Sequence, residues 1–138
     1  MKALVALLPA AVIAAACGAP ATSSDEIAPV SGDPVRGERA YQKCYSCHGL
    51  EPGRNDIGGP TLHRIVGRRV AAEAGFDYSP ALRKFAERSP SWTPELLDQL
   101  IADPEALVPG TSMTFTGITD EQERRDLIAF LQRGEPAP

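Results

Sequence analysis

Cys44-Tyr45-Ser46-Cys47-His48 is the stretch of this 138-residue sequence whose residue types and spacing dictate a chemistry. Two thiols separated by two residues, with an imidazole directly after the second, form the attachment signature of a c-type haem. At that spacing both sulfurs reach the two vinyl groups of one porphyrin, and the next side chain is held under the iron. Two other chemistries use the same residue types. A C-x-x-C dithiol can cycle as a thiol-disulfide pair, but that motif opens a helix within a βαβ unit. Here it follows a helix-like stretch with no strand pattern around it. A zinc site would take Cys44, Cys47 and one or both histidines, yet such ligands come as two spaced pairs and there is no second pair.

Elsewhere the chain is ordinary for a small globular protein. Its length implies one domain with a modest core, and 43% of its residues are hydrophobic. A net charge of −4 and the lack of a basic patch argue against a nucleic-acid partner. Of three cysteines, the motif leaves Cys17 to explain.

Residues 1–16 read as an export signal, with Lys2 as the charged start and Ala3 to Ala16 an apolar run broken by Pro9. The run is too short to span a bilayer comfortably. Export suits a haem joined to its protein outside the bacterial cytoplasm. Cys17 ends the run in Ala14-Ala15-Ala16-Cys17-Gly18, similar to a lipoprotein processing site, although such sites usually carry leucine where Ala14 stands. The other reading is cleavage after Ala19 or Ala21, which discards Cys17. Residues 17–32 are rich in Ala, Pro, Ser and Thr and read as a disordered tether, leaving a folded domain over 33–134 and a flexible tail over 135–138.

The elements that must present the motif follow from cap and breaker residues. Asp33-Pro34 starts a helix expected to run to about Cys44, with Val35, Ala40 and Tyr41 on its inner face. Gly49 to Pro60 is a glycine-rich loop of the kind that passes close to a flat ligand, and Thr61 to Val66 is expected to form a helical turn. Ser79-Pro80 and Thr93-Pro94 start two further helices, the second striped by Leu96, Leu97, Leu100 and Ile101 and stopped at Asp103-Pro104. A loop is expected from Glu105 to Ile118. Thr119-Asp120-Glu121-Gln122 opens a last helix striped by Leu127, Ile128, Phe130 and Leu131, which ends near Gly134. There is no internal repeat and no convincing strand.

An iron held by His48 alone would be open to small molecules, whereas a second strong ligand makes a closed electron-transfer centre. Met113 and His63 are the candidates. Met113 lies in a loop bounded by proline and glycine, where an apolar side chain has no helical face to fill.

From about Asp33 to Arg133 the chain resembles a class I cytochrome c of the mitochondrial and alphaproteobacterial type. The shared residues include Gly58-Gly59-Pro60-Thr61-Leu62-His63, Gly67-Arg68-Arg69, Phe76-Asp77-Tyr78-Ser79, Trp92-Thr93, Pro109-Gly110-Thr111-Ser112-Met113-Thr114-Phe115, Gly117-Ile118, and Arg124 with Asp126 to Leu131. The resemblance implies an all-α, single-domain fold of about four to five helices wrapped around one covalent haem c. It implies thioethers at Cys44 and Cys47, iron held by His48 and Met113, and a hydrogen bond from the proximal imidazole to the carbonyl of Pro60. It further implies that Arg68, Tyr78 and Trp92 surround the buried propionates, that Phe115 lies beside the exposed haem edge, and that Gly37 and Tyr41 cross Leu127 and Phe130. His63 matches a family residue away from the iron. Two departures are visible. Leu100 stands where the family usually has a tyrosine supporting the methionine sulfur. Of the usual lysines around the haem edge Lys43 remains, while the loop before Met113 offers Glu105, Ala106 and Ser112. The implied function is one-electron transfer between respiratory or photosynthetic complexes outside the cytoplasm, by a monomer meeting its redox partners transiently, with Cys17 as a membrane leash. The alternatives are a haem enzyme or sensor with an open distal site, and a tethered subunit of a larger complex.

Overall fold

Among the described residues there are five helices: α1 Pro34–Tyr41, α2 Pro80–Arg88, α3 Pro94–Ala102, α4 Pro104–Leu107 and α5 Glu121–Arg133. The computed structural model describes residues 30–55 and 57–134. The expected export segment, Cys17, the tether up to residue 29 and the tail 135–138 lie outside them. Among the described residues no helix is long and apolar enough to cross a membrane.

Four of the five helices start the same way. Asp33, Ser79, Thr93 and Asp103 each cap the first turn with a side-chain oxygen, and a proline follows at the first helical residue. Proline costs nothing there, because its missing N–H would have had no partner in the helix. Asp103 closes α3 and caps α4 at once, so the chain bends at Asp103-Pro104 and resumes as a short helix where a loop was expected. The last helix is capped by Asp120, which accepts from the Glu123 N–H at 2.7 Å, so it starts one residue later than a cap at Thr119 would place it.

Three other expectations are corrected. α1 ends at Tyr41, and the chain continues to Cys47 in tight turns. Thr61 to Val66 is not helical: two successive turns, Ile65 N–H to Leu62 C=O and Arg68 N–H to Ile65 C=O, carry it, and Arg64 within the first takes a positive φ of 47°. Val35 is 62% exposed, because the face that meets α5 runs through Gly37, Ala40 and Tyr41, spaced three and four residues apart. The packed chain also begins before Asp33: Val30 lies against the core and its N–H donates to Gln132 Oε1 at 2.8 Å.

The core is organised by the crossing of α1 and α5. A Cβ on Gly37 would stand 2.0 Å from the Asp126 carbonyl oxygen, so only glycine lets the two backbones approach this closely. Above that point the Tyr41 and Phe130 rings meet at 5.7 Å. Below it Asp126, 3% exposed, accepts from the Asp33 N–H at 2.7 Å, from Arg36 Nε at 2.6 Å and from Gln122 at 2.9 Å. The Arg36 guanidinium beside it holds its carboxyl well below the usual carboxylate range. α3 buries Leu97 and Ile101, and Arg124 of α5 reaches back to Asp98 at 2.7 Å. A two-rung antiparallel contact, Trp92 N–H to Arg68 C=O at 2.9 Å and Val70 N–H to Pro90 C=O at 3.0 Å, brings two distant segments side by side.

Gly37→Ala should lower unfolding stability by about 3 kcal/mol, read by chemical denaturation, because a methyl group there overpacks backbone against backbone. Asp126→Asn should cost about 1–3 kcal/mol at neutral pH by leaving hydrogen-bonded partners poorly matched. Because the folded-state pKa of Asp126 is depressed, its contribution is present above the ordinary carboxylate value of about 4 and disappears as pH falls below it. The stability gap between wild type and Asp126→Asn should therefore narrow in acid.

Candidate functional site

The turns after α1 fold the chain back on itself. The Cys44 N–H donates to Tyr41 C=O at 2.8 Å, and the Cys47 and His48 N–H groups both donate to Cys44 C=O, at 3.0 and 2.9 Å. Cys44 is left half-buried with a free thiol, Cys47 exposed with another. Burial pushes the Cys44 thiol up to about 11.

His48 is held at its ring by the Pro60 carbonyl, 2.7 Å from Nδ1. Burial lowers its pKa, the Pro60 bond acts in the opposite sense, and the nearby Arg68 charge adds to the lowering. Gly59 lies directly against the ring: a Cβ there would meet His48 Cε1 at 2.5 Å and Nδ1 at 2.7 Å.

The loop that delivers Pro60 is fixed by side chains that the sequence alone did not single out. Thr61, 1% exposed, donates its hydroxyl to Glu51 C=O at 2.7 Å and accepts from the His63 N–H at 3.0 Å. Asn55 accepts from the Thr61 N–H at 3.0 Å and donates to Ala74 C=O at 2.9 Å. These are local and cross-loop bonds between small polar residues, a pattern that composition cannot distinguish from ordinary loop chemistry.

An apolar cavity of about 290 Å³ opens beside His48. Every residue expected at the site lines it: Cys44, Cys47, His48, Pro60, Arg68, Tyr78, Trp92, Met113 and Phe115. His63 does not. Leu82 of α2, Leu97, Leu100 and Ile101 of α3, and Leu127 and Leu131 of α5 complete the apolar wall. Leu100 thus brings a hydrocarbon side chain, with no hydroxyl, to the same space as Met113.

The loop carrying Met113 is braced from behind. Val108 is 1% exposed, the Thr111 N–H donates to its carbonyl at 3.0 Å, Glu105 accepts from the Gly110 N–H at 2.9 Å, and the Met113 N–H donates to Thr111 Oγ1 at 3.2 Å. At another edge of the cavity stand Arg68, Tyr78 and Trp92, all potential donors. Arg68 donates to the carbonyls of Thr61 at 2.6 Å and His63 at 3.0 Å and pairs with Glu73 at 3.1 Å. Glu73 was not anticipated from the sequence; its own N–H donates to the Tyr78 hydroxyl at 3.2 Å.

A flat apolar group with carboxylates at one edge fits this donor set. There are thiols for covalent attachment, an imidazole and a thioether for iron, hydrocarbon walls, and a corner of donors in Arg68, Tyr78 and Trp92, where a carboxylate would share the Arg68 guanidinium with Glu73. Among the described residues no three His, Cys, Asp or Glu side chains converge, so the zinc alternative lacks a ligand set there.

Residues 34–135 match the family model described as cytochrome c. The chain is 38% identical over 101 residues to a cytochrome c2 of Rhodomicrobium vannielii, covering 73% of this chain and 78% of that protein. Cytochrome cH from Methylobacterium extorquens superposes with a TM-score of 0.67 at 39% identity, over 74% of this chain and 99% of that one. Cytochrome c2 from Rhodospirillum centenum does so with a TM-score of 0.69 at 30% identity, over 76% and 100%. Family match, relatives and an all-helical fold around one apolar cavity agree: this chain belongs to the cytochrome c family, an electron-transfer protein and not an enzyme, built around a covalently bound haem c.

Proposed function

We propose that the haem is joined by thioether bonds to Cys44 and Cys47 and that His48 and Met113 are its two axial ligands. The observation that carries this reading is the bond from His48 Nδ1 to the Pro60 carbonyl at 2.7 Å. It leaves Nε2 as the ring nitrogen available to iron and fixes the ring's orientation. Met113 offers a soft sulfur in the same cavity, from a loop that Thr111 and Val108 restrain.

The haem supplies a one-electron couple at its iron. With His48 and Met113 both holding the iron, the chain would offer no position for a substrate, and the hydrocarbon wall would keep water away. Arg68, Tyr78 and Trp92 are read as the partners of the propionates, with Glu73 sharing the Arg68 guanidinium. Phe115 is read as the aromatic at the exposed edge. With Leu100 in place of a hydroxyl-bearing residue, support for the Met113 sulfur falls to the geometry of its own loop.

The carrier acts outside the cytoplasm between donor and acceptor proteins of a respiratory or photosynthetic chain, as a monomer, through small transient contacts. Residues 1–16 direct export, and Cys17 carries a lipid that leashes the domain to a membrane surface. These statements rest on the sequence pattern of the first 29 residues.

Met113→Ala should open one coordination site: the ferrous variant should bind carbon monoxide rapidly and completely at neutral pH and lose the sulfur-iron charge-transfer band in its ferric form. Wild-type protein that binds carbon monoxide equally fast would remove the two-ligand reading. Mass spectrometry of the mature holoprotein should show one covalent haem and a lipid-modified N-terminal Cys17. An unmodified N-terminus that starts beyond Cys17 ends the anchor.

A further inference from the structure

The Tyr41 hydroxyl donates to the main-chain carbonyl of His48 at 2.5 Å. Packing does not require this contact. The Tyr41 ring already fills its place against Phe130, and phenylalanine would occupy the same space without the hydroxyl. Tyr41 is only 9% exposed, and it sits in the last turn of α1, from which the chain turns back within seven residues to bring the His48 carbonyl to it.

Each polar group of His48 is consequently held by a different part of the molecule. Its N–H donates to Cys44 C=O within the motif, its ring bonds to the Pro60 carbonyl from the following loop, and its own carbonyl accepts from α1. Gly59 against the ring leaves no slack on that side. A residue restrained at main-chain nitrogen, main-chain oxygen and ring has little freedom to rotate or shift.

We propose that Tyr41 is a positioning residue for the electron-transfer centre: its hydroxyl ties the main chain of the proximal ligand to the α1–α5 crossing, so that the crossing sets where the His48 imidazole sits. This rests on the reading of His48 as an iron ligand. A His48 carbonyl without this donor must recruit water. Water on the proximal side raises the local polarity and favours the more highly charged ferric state, so removing the hydroxyl should lower the reduction potential.

Tyr41→Phe, made in the holoprotein with carbonyl-labelled histidine, tests this directly. The chain has two histidines, so the His48 and His63 carbonyl resonances can be assigned. The His48 resonance should move while that of His63 stays, and the midpoint potential should fall with little change in unfolding temperature. Phe130→Leu weakens the same crossing without removing the hydroxyl; it should lower the unfolding temperature more than Tyr41→Phe does, and move the His48 resonance and the potential less. A Tyr41→Phe protein with unchanged resonance and potential overturns the proposal. So does a Phe130→Leu protein whose potential falls as far, since packing alone would then account for the effect. Should Tyr41→Phe not accumulate as holoprotein, the wild type still decides: the Tyr41 hydroxyl proton should exchange slowly and show proximity to His48, and exchange too fast to observe overturns the bond. Ligation is read separately, because a His48→Ala protein that kept the wild-type absorption bands would remove the iron ligand itself, a result that no outcome for Tyr41→Phe can imitate.

Discussion

The approach of α1 to α5 at Gly37 is the constraint on which the remaining geometry depends. Backbone contacts backbone there, with no room for a methyl group, and that proximity fixes both the separation and the crossing of the first and last helices. Asp126 secures one side of the contact by gathering donors from Asp33, Arg36 and Gln122, and the Tyr41–Phe130 pair secures the other. The turns carrying Cys44, Cys47 and His48 leave from the end of α1, so any slip along this crossing would be felt at the cofactor. Packing in the core and placement of His48 are one mechanical problem.

The site is stiff because its irregular backbone is satisfied by side chains rather than by regular ladders. Thr61 and Asn55 bind the loop before and after Pro60, Val108 and Thr111 brace the turn that carries Met113, and Arg68 is fixed by two carbonyls and a carboxylate. Such bonds matter most where water is absent, since each unmade one costs more there than in a solvated loop. A carrier that only gains and loses an electron benefits from this rigidity: the less its ligands and walls move, the smaller the rearrangement accompanying each transfer. The same loops leave Cys47 exposed where it lines the cavity, so the cavity is open at that side.

Much of this was legible in the sequence, for reasons particular to its residues. A cysteine pair followed by histidine has few chemical uses, and Asp-Pro, Ser-Pro and Thr-Pro starts mark helix ends through local sterics that need no tertiary partner. Four of the five helix starts, the last of them one residue early, were therefore readable, and so, with the help of family resemblance, was a set of residues that lines the cavity. Val35 shows where that kind of reading fails: apolar character and a helix address do not say which face turns inward, and the close contact at Gly37 rotated it out to solvent. Thr61 to Val66 shows another failure, since a run with helix-compatible residues was pulled into two turns by bonds to Gly49 and Glu51.

Sequence by itself determined the cofactor and where four of the helices begin, to within a residue, because thiol spacing, caps and prolines act over a few residues. Tertiary structure alone decided that Asp103-Pro104 would restart a helix, that Glu73 would stand against Arg68, and that the Tyr41 hydroxyl would meet the carbonyl of His48. Each of those contacts depends on how the chain turns after a helix ends and on which backbone can come close enough. Cys44 to His48 name the cofactor through their own chemistry, but they are held in place by a glycine and a tyrosine whose roles exist only once α1 and α5 have crossed.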